Sequence, residues 1–222
     1  MCGRISTANL LPDDISELFH VSSVPTFLQS YNVAPTLHIP AIREQNQARS
    51  LVNFRWGLIP HWARDKQIKG SSFNARVETL TQKPFFRDSI KSKRCIVPAT
   101  GFYEWQKQED VKQPYYIYRA DNEPLAFAGL WDVWVDKVTG ETLESCAIIT
   151  VPATHQMAEI HERMPAVLEA EFFDTWLDPE FKETHVLRDI LRMPKNALAM
   201  YPVSTYVSNS RNEGKRCVER FM

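Results

Sequence analysis

The sequence predicts a single α+β domain over residues 1–222, with a curved, barrel-like antiparallel β-sheet core and peripheral short helices. Short runs rich in β-branched and aromatic residues recur along the chain, and Pro, Gly, Asn and Asp separate them. Apolar residues at helical spacing are confined to short segments. No Pro-, Gly- or Ser-rich linker divides the 222 residues, so we expect one hydrophobic core.

The first predicted helix spans residues 13–20, where Ile15 and Phe19 share one face behind two acidic residues. Further helices are predicted over residues 85–93, 154–163, 169–177 and 183–191. The predicted strands are residues 39–43, 51–58, 94–97, 101–106, 115–119, 125–135 and 146–151. We expect hairpin turns at Asp121-Asn122 and at Thr139-Gly140, because these residue types favour tight turns.

The composition, with 44% hydrophobic and 24% charged residues, is typical of a soluble globular protein. No apolar run approaches the roughly 18 residues that a membrane span needs, and the first residues show no secretory signal. We therefore expect a cytoplasmic protein that does not act on membranes. The phosphate-binding patterns G-x-G-x-x-G and G-x-x-x-x-G-K-[ST] are absent, which argues against a nucleotide-driven enzyme.

The four cysteines, Cys2, Cys95, Cys146 and Cys217, lie too far apart in sequence for metal-ligand or redox spacing, so we expect no metal and no cofactor. Cys95 and Cys146 lie in apolar runs and are expected to be buried, whereas Cys217 lies in a charged tail and is expected at the surface. Cys2 is different, because a small residue after Met1 permits removal of that methionine. The mature chain would then begin with an α-amine and a thiol on one residue.

The net charge of −1 hides an uneven distribution of charge. Residues 49–94 hold eleven Lys and Arg against three acidic residues, whereas residues 121–192 hold fifteen acidic residues against five basic ones. Such a chain can present a basic face to a polyanion while its overall charge stays near neutral. Charge alone leaves open whether the basic stretch binds nucleic acid or is a solvated surface.

Several short segments are too particular to be background composition. In chain order they are Cys2-Gly3-Arg4, Tyr31-Asn32-Val33-Ala34-Pro35, Arg55-Trp56-Gly57-Leu58-Ile59-Pro60, Asn74-Ala75-Arg76-Val77-Glu78-Thr79, Arg94-Cys95-Ile96-Val97-Pro98, Gly101-Phe102-Tyr103-Glu104-Trp105, Ile160-His161-Glu162-Arg163-Met164-Pro165 and Pro202-Val203-Ser204. Together they resemble the SOS-response-associated peptidase (SRAP) family of abasic-site processing proteins, which crosslink to damaged single-stranded DNA. The resemblance runs from residue 2 to about residue 214 and implies the SRAP fold.

The resemblance implies a sensor of abasic sites in single-stranded DNA that forms a covalent thiazolidine crosslink through an N-terminal Cys2. The chemistry suits this residue: the abasic sugar exposes an aldehyde, a primary amine attacks it to give an imine, and a thiol two carbons away closes a five-membered ring. An α-amine, with an ordinary pKa of about 8, is partly neutral near pH 7. The implied partners are single-stranded DNA with abasic sites and replication-fork or 3′ junction DNA. We expect a monomer, nucleoid-associated if bacterial.

Matching family positions imply roles for three further residues. Glu104 would assist sugar ring opening and move protons at the imine if it faces a cleft; as a strand residue between two aromatics, it could instead lie on a solvated face. His161 would protonate the ring oxygen, although a lone histidine is usually structural. The Asn74 amide would hydrogen-bond the new N-terminus, with a turn or cap role as the alternative.

The same resemblance implies contacts with DNA. Arg4, Arg76 and Arg163 match positions that hold backbone phosphates, which guanidinium groups bind well. Trp62 lies in a polar stretch and is expected at the surface, where it would wedge against exposed bases. Trp56, in a strand, is expected in the core.

This chain departs from some relatives just after the Asn-Ala-Arg-Val-Glu-Thr segment. Those relatives carry an Arg there, whereas this chain has Lys83-Pro84. A phosphate contact at that position would therefore fall to Lys83 or Arg87.

Three functions remain open on the sequence. A covalent abasic-site sensor uses the amine, the thiol, Glu104 and the basic stretch, and so explains the most residues. A cysteine peptidase would use Cys2, His161 and Glu104, and could act as a self-processing activity, but it leaves the free amine without a role. A non-covalent reader of modified bases or DNA structure would use the basic stretch and leave both Glu104 and the amine idle.

Overall fold

The computed structural model describes residues 2–66, 72–109, 111–191 and 197–221. Its strands are β1 (Ile5–Ser6), β2 (His38–Gln45), β3 (Ala48–Trp56), β4 (Asn74–Arg76), β5 (Arg94–Ala99), β6 (Gly101–Gln108), β7 (Val111–Arg119), β8 (Leu125–Val135), β9 (Thr142–Pro152), β10 (Arg163–Pro165) and β11 (Leu198–Pro202). Its helices are α1 (Pro12–Phe19), α2 (Ser89–Ser92), α3 (His155–Ala158), α4 (Phe173–Leu177) and α5 (Thr184–Ile190), with short 3₁₀ turns between the elements.

Five strands close a small barrel in the order β9-β3-β2-β5-β8, because β8 pairs back onto β9. Strand β9 organises the barrel, since it pairs antiparallel with β8 and parallel with β3. Near its end, residues 148–150 pair with β4 and residues 150–152 pair with β10. The segments that contain Asn74 and Arg163 are therefore held at one end of the same strand.

A second sheet, β1-β6-β7-β11, is antiparallel throughout. It begins where the N-terminal segment pairs with β6 through Ile5↔Phe102 and Ser6↔Gly101. Gly101 is needed at this crossing, because a Cβ there would lie 2.4 Å from the ring of Tyr116. One face of the sheet packs on the barrel, where Phe102 meets the ring of Phe127 edge-on at 5.8 Å.

The core explains the long apolar runs of the sequence. All of β5 and nearly all of β8 are buried, which accounts for their continuous apolar sequences. The main cluster of buried side chains includes residues of both sheets. In a smaller cluster, Tyr103 and Tyr116 of the second sheet pack with Val203, Val207 and Cys217, which lie outside its strands.

The predicted α+β class and the barrel-like sheet are confirmed, with two corrections to the architecture. The barrel is mixed rather than antiparallel, because β3 and β4 run parallel to β9. There are also two sheets rather than one, and as a result one of the two predicted hairpins does not form. Asp121-Asn122 does not close a hairpin, since β7 pairs with β6 and β11 whereas β8 pairs with β5 and β9.

Two further expectations fail for reasons of packing. The helix predicted over residues 154–163 is limited to α3, because Arg163–Pro165 instead pairs with β9. Cys217 is fully buried rather than at the surface, since it packs into the second cluster. Cys95 and Cys146 are buried as predicted. Within the described ranges, no helix is both long and apolar enough to cross a membrane.

Candidate functional site

The N-terminal segment is held against β6, and this places Cys2 in the interior. The Tyr103 N–H donates to the Arg4 carbonyl at 3.0 Å, which extends the β1–β6 pairing by one residue toward the N-terminus. Cys2 has no exposed surface, and its thiol points to the Arg4 carbonyl at 3.9 Å. Cys2 lies close enough to Glu104 for the charge of that carboxylate to act on its thiol.

Glu104 is buried rather than solvated, with only 3% of its surface exposed. Burial raises the pKa of Glu104, and the nearby His161 opposes that rise. Burial also raises the pKa of the Cys2 thiol, and the negative charge of Glu104 raises it further. Both effects favour neutral, protonated groups, so the thiol is not preformed as a thiolate.

His161 reaches the same site from the segment between α3 and β10. The Gln106 side chain in β6 donates to the Glu159 carbonyl at 2.9 Å and so ties this segment to the strand that carries Glu104. The His161 Nδ1 lies 2.9 Å from the Arg163 N–H and 3.1 Å from the Arg163 carbonyl. Because a backbone N–H can only donate, Nδ1 accepts in the shorter contact. An accepting Nδ1 leaves the proton of the neutral ring on Nε2, so His161 can act as a donor toward a bound group.

Asn74 lies at the start of β4 and not in a turn or a helix cap. Its side-chain nitrogen donates to the carbonyls of Phe73 and Ile148, at 3.2 and 3.4 Å. Its Oδ1 is buried and finds no hydrogen-bond partner among the described residues. A buried, unsatisfied acceptor is costly, and an amine donor would satisfy it.

The three arginines predicted to bind phosphate have different surroundings. Arg76 is exposed at the end of β4. Arg4 is half-buried, where it donates to Asn32 Oδ1 at 2.6 Å and to the Val207 carbonyl at 2.7 Å. Arg163 is only 8% exposed. Its guanidinium pairs with both carboxylate oxygens of Glu78, at 2.5 and 3.1 Å.

Trp56 and Trp62 have the burial that the sequence predicts. Trp56 is fully buried in the core. Trp62 is 48% exposed and meets the half-buried Phe85 ring edge-on, with centroids 5.5 Å apart. Three exposed cations accompany this aromatic pair in sequence: Arg64, Lys83 and Arg87.

Ion pairs join the basic stretch to the acidic stretch in space. The pairs are Arg49–Asp174 at 2.5 Å, Lys66–Glu141 at 3.1 Å and Lys93–Asp132 at 2.5 Å. Arg94 is buried and donates only to backbone carbonyls, those of Ile90, Trp176, Asp178 and Phe181. Much of the positive excess in the sequence is therefore neutralised or structural, and Arg64, Arg76, Lys83 and Arg87 remain exposed.

Sequence reasoning missed two residues that hold the arginines. Asn32 orients Arg4, and Glu78 orients Arg163. Asn32 and Glu78 both belong to segments that carry the family resemblance, and this was the only sign of their importance in the sequence. The segments alone do not show that their partners are arginines far away along the chain. The described residues contain no group of three His, Cys, Asp or Glu placed to hold a metal ion.

Comparison with known proteins finds relatives along nearly the whole chain. The family model "SOS response associated peptidase (SRAP)" matches residues 1–210. The chain is 38% identical to "Abasic site processing protein YoqW" of Bacillus subtilis, over 99% of each chain. It is 34% identical to "Abasic site processing protein HMCES" of Xenopus tropicalis, over 98% of this chain and 78% of that one.

Two further similarities extend over the full length. The chain is 31% identical to "Abasic site processing protein YedK" of Escherichia coli, over 99% of each chain. A crystal structure of a protein from Bacteroides thetaiotaomicron superimposes with a TM-score of 0.83 at 30% identity and covers 100% of both chains. The chain therefore belongs to the SOS response associated peptidase (SRAP) family.

Proposed function

We propose that this protein captures abasic sites in single-stranded DNA as a covalent thiazolidine formed by Cys2 after removal of Met1. The observation that carries the proposal is the placement of Cys2, fully buried at the N-terminal end of the chain, beside the buried Glu104. Membership of a family whose relatives are named abasic site processing proteins supports DNA with abasic sites as the substrate. In this role the protein shields the lesion during replication and repair.

The reaction proceeds in two covalent steps. The neutral α-amine of Cys2 adds to the C1′ aldehyde of the opened sugar, and loss of water gives an imine. The thiol sulfur then adds to the imine carbon, and its proton passes to the nitrogen to leave a five-membered ring. No oxidant, metal or cofactor enters this balance.

The surrounding residues suit the proton transfers. Glu104, kept protonated more readily by burial, protonates the departing hydroxyl and regains a proton from the nitrogen as the imine forms. It then relays the thiol proton to that nitrogen as the ring closes. His161, with its proton on Nε2, donates to the ring oxygen as the sugar opens. The unsatisfied Oδ1 of Asn74 accepts a hydrogen bond from the amine and orients its lone pair toward the aldehyde.

DNA binding falls to the exposed cations and to the aromatic pair. The exposed Arg76 and the half-buried Arg4 hold phosphates beside the lesion. Arg163, only 8% exposed and paired with Glu78, instead orients the site. Trp62, backed by Phe85, stacks on a base that is already unpaired. This arrangement favours single strands and junctions over an intact duplex.

A cysteine peptidase is the second candidate, since the family description includes that term. It needs a thiolate nucleophile, whereas burial and the charge of Glu104 both raise the pKa of Cys2. The site is therefore better suited to amine chemistry, with a peptidase activity restricted to processing ahead of Cys2. A non-covalent reader would give no use to the buried pair of Cys2 and Glu104.

The test is the mass and stability of the adduct with an abasic oligonucleotide. Wild-type protein should give a heat-stable species whose mass equals the Met1-free chain plus the oligonucleotide minus one water. Cys2→Ser should give only an imine, which reverses on heating unless borohydride reduces it, and Cys2→Ala should give the same result. An equally heat-stable adduct from Cys2→Ser would overturn the thiazolidine.

A further inference from the structure

His61 is a half-exposed histidine that a buried carboxylate holds in place, outside the proposed crosslinking site. Asp132 in β8 is only 3% exposed on its side chain, whereas the His61 ring is 49% exposed. One oxygen of Asp132 accepts from both the His61 backbone N–H and the ring Nδ1, each at 2.9 Å. The Nζ of Lys93 lies 2.5 Å from the other oxygen. Because the two ring nitrogens lie on opposite edges, Nε2 points away from Asp132.

The hydrogen bonds of Asp132 keep its carboxyl group charged. Burial acts to raise the pKa of Asp132, but hydrogen bonds from Lys93 and His61 outweigh it and lower the pKa overall. Asp132 is therefore an anion. With Nδ1 donating to that anion, the outward Nε2 is the second donor of the ring in its imidazolium form.

The loop that carries His61 is fixed to the barrel. The Ile59 N–H donates to Ser145 Oγ at 2.8 Å, and the Trp134 indole donates to the Ala63 carbonyl at 2.9 Å. His61 and its neighbour Trp62 therefore project from a preorganised turn, and both are about half exposed.

The segments that carry Trp62 and Phe85 hold the residue types of a single-strand binding surface. Trp62 and Phe85 form its aromatic part, and the exposed Arg64, Lys83 and Arg87 accompany them in sequence. Proteins that bind single strands combine stacking aromatics with cations along the backbone. The anion that a bound strand carries at every nucleotide is its backbone phosphate.

We propose that His61 is a phosphate-binding residue for single-stranded DNA, with Asp132 and Lys93 as its positioning residues. The imidazolium donates from Nε2 to a phosphate oxygen of the strand whose base stacks on Trp62. This inference rests on the proposed function and adds a backbone contact next to the stacking residue. The pairing of one base contact with one phosphate contact on the same rigid turn fixes the path of the strand.

A structural role for His61, in which the ring only pins the loop to Asp132, makes a different prediction for two substitutions. In His61→Asn the amide nitrogen takes the place of Nδ1, so it keeps the bond to Asp132 and loses the outward donor. In His61→Gln the longer amide reaches the position of Nε2 and restores a neutral donor toward the phosphate. His20→Asn, at an exposed histidine that follows α1, is the matched control.

The measurement is binding of a labelled, undamaged oligothymidine by fluorescence anisotropy across a salt series near pH 6, with a thermal melt of each variant. His61→Asn should bind roughly five- to tenfold more weakly, with a salt slope smaller by about 0.7. His61→Gln should recover part of the affinity but not the slope, and His20→Asn should match wild type. If His61→Asn has a lower melting temperature than wild type, the salt slope is measured well below that temperature. The slope then still tests the proposal, because it depends on the number of phosphate contacts and not on the fraction of folded protein.

The outcomes separate this inference from the proposed function. If wild-type protein crosslinks abasic DNA while His61→Asn keeps the wild-type affinity and slope, the phosphate contact is wrong and the proposed function stands. If wild-type protein neither binds single strands nor crosslinks them, the proposed function fails, and the inference fails with it.

Discussion

Arg163 and Glu78 form a bidentate ion pair, with Nη1–Oε1 at 2.5 Å and Nη2–Oε2 at 3.1 Å. The same Nη2 donates to the Thr150 carbonyl at 2.6 Å, and the backbone N–H of Arg163 holds the Nδ1 of His161. One residue thus ties β10 to β9 and to the turn after β4, and it orients a proposed catalytic ring. Arg163 therefore acts mainly by holding these segments in place rather than by presenting a free positive charge.

Arg163→Ala should therefore lower both stability and crosslinking. Removal of the guanidinium leaves Glu78 and the Thr150 carbonyl without their donor, at a cost of about 2 kcal/mol, since Glu78 is partly exposed. Urea unfolding monitored by fluorescence measures the loss. Arg163→Lys, which keeps the charge but not the bidentate geometry, should recover only part of the stability. An Arg163→Ala variant of unchanged stability would show that the pair only orients the side chain.

Arg76→Ala should have the opposite profile. Arg76 is exposed at the end of β4, so its removal should leave the unfolding free energy within about 0.5 kcal/mol of wild type. Binding of undamaged single strands should weaken, and the salt slope should fall by about 0.7 for the one lost phosphate contact. Anisotropy titrations across a salt series check this, with the exposed Lys182→Ala as the control. A slope equal to that of the control would remove Arg76 from the interface.

Glu104→Gln should stabilise the protein while it slows the chemistry. A buried carboxyl whose pKa is raised contributes stability below its unfolded-state pKa of about 4.3, and that contribution is lost as pH rises through the folded-state pKa. The melting temperature of Glu104→Gln should therefore match wild type near pH 4 and exceed it at neutral pH. Each kcal/mol corresponds to about 2–4 °C for a protein of this size.

The same variant should crosslink at least about 100-fold more slowly, because an amide cannot exchange protons with the imine. Its affinity for undamaged single strands should be unchanged. A Glu104→Gln variant that crosslinks at the wild-type rate would exclude Glu104 from proton transfer.

Asn74→Ala and Asn74→Asp should separate orientation of the amine from its protonation. Asn74→Ala removes the Oδ1 acceptor and should slow crosslinking about tenfold, the equivalent of one hydrogen bond. Asn74→Asp supplies a carboxylate that holds the amine as ammonium, so its rate should fall further at neutral pH and recover as pH rises. Quenched time courses between pH 6 and pH 9 measure both. Identical pH profiles for the two variants would contradict the proposed contact.

Trp62→Ala should narrow the preference for unpaired substrates. A base can stack on Trp62 only where pairing is already broken, or after an unstacking cost of a few kcal/mol. Wild-type protein should therefore crosslink a single strand or a junction roughly ten- to a hundredfold faster than an intact duplex. Trp62→Ala should slow the two favoured substrates and leave the duplex rate nearly unchanged. Equal wild-type rates on all three DNAs would exclude the wedge.

The sequence predicts best those elements whose own apolar residues are buried along most of their length. Strand β8 begins and ends at the predicted residues, Leu125 and Val135, because its apolar run is buried along almost all of its length. The short strands β1, β4, β10 and β11 escaped prediction, since two to five residues carry too little pattern of their own. Each exists because a longer strand offers it a free edge.

The candidate site also has features that the sequence predicts and features that only the fold decides. The residue types and their order along the chain carry the family resemblance, the special chemistry of a cysteine at position 2, and the set of candidate residues. Local sequence could not tell that Glu104 is buried, or that Arg94 belongs to the core while Arg76 is exposed. Those distinctions depend on partners tens of residues away.

Charge shows the physical reason most directly. Along the chain, the basic stretch and the acidic stretch are separate and suggest an open basic face. Folding brings Lys93 to Asp132 and Arg163 to Glu78, because a cation removed from water is stable only beside an anion or carbonyl that replaces its hydration. Composition and order are properties of the chain, whereas the pairing of charges depends on distance in space, and only the closed barrel sets those distances.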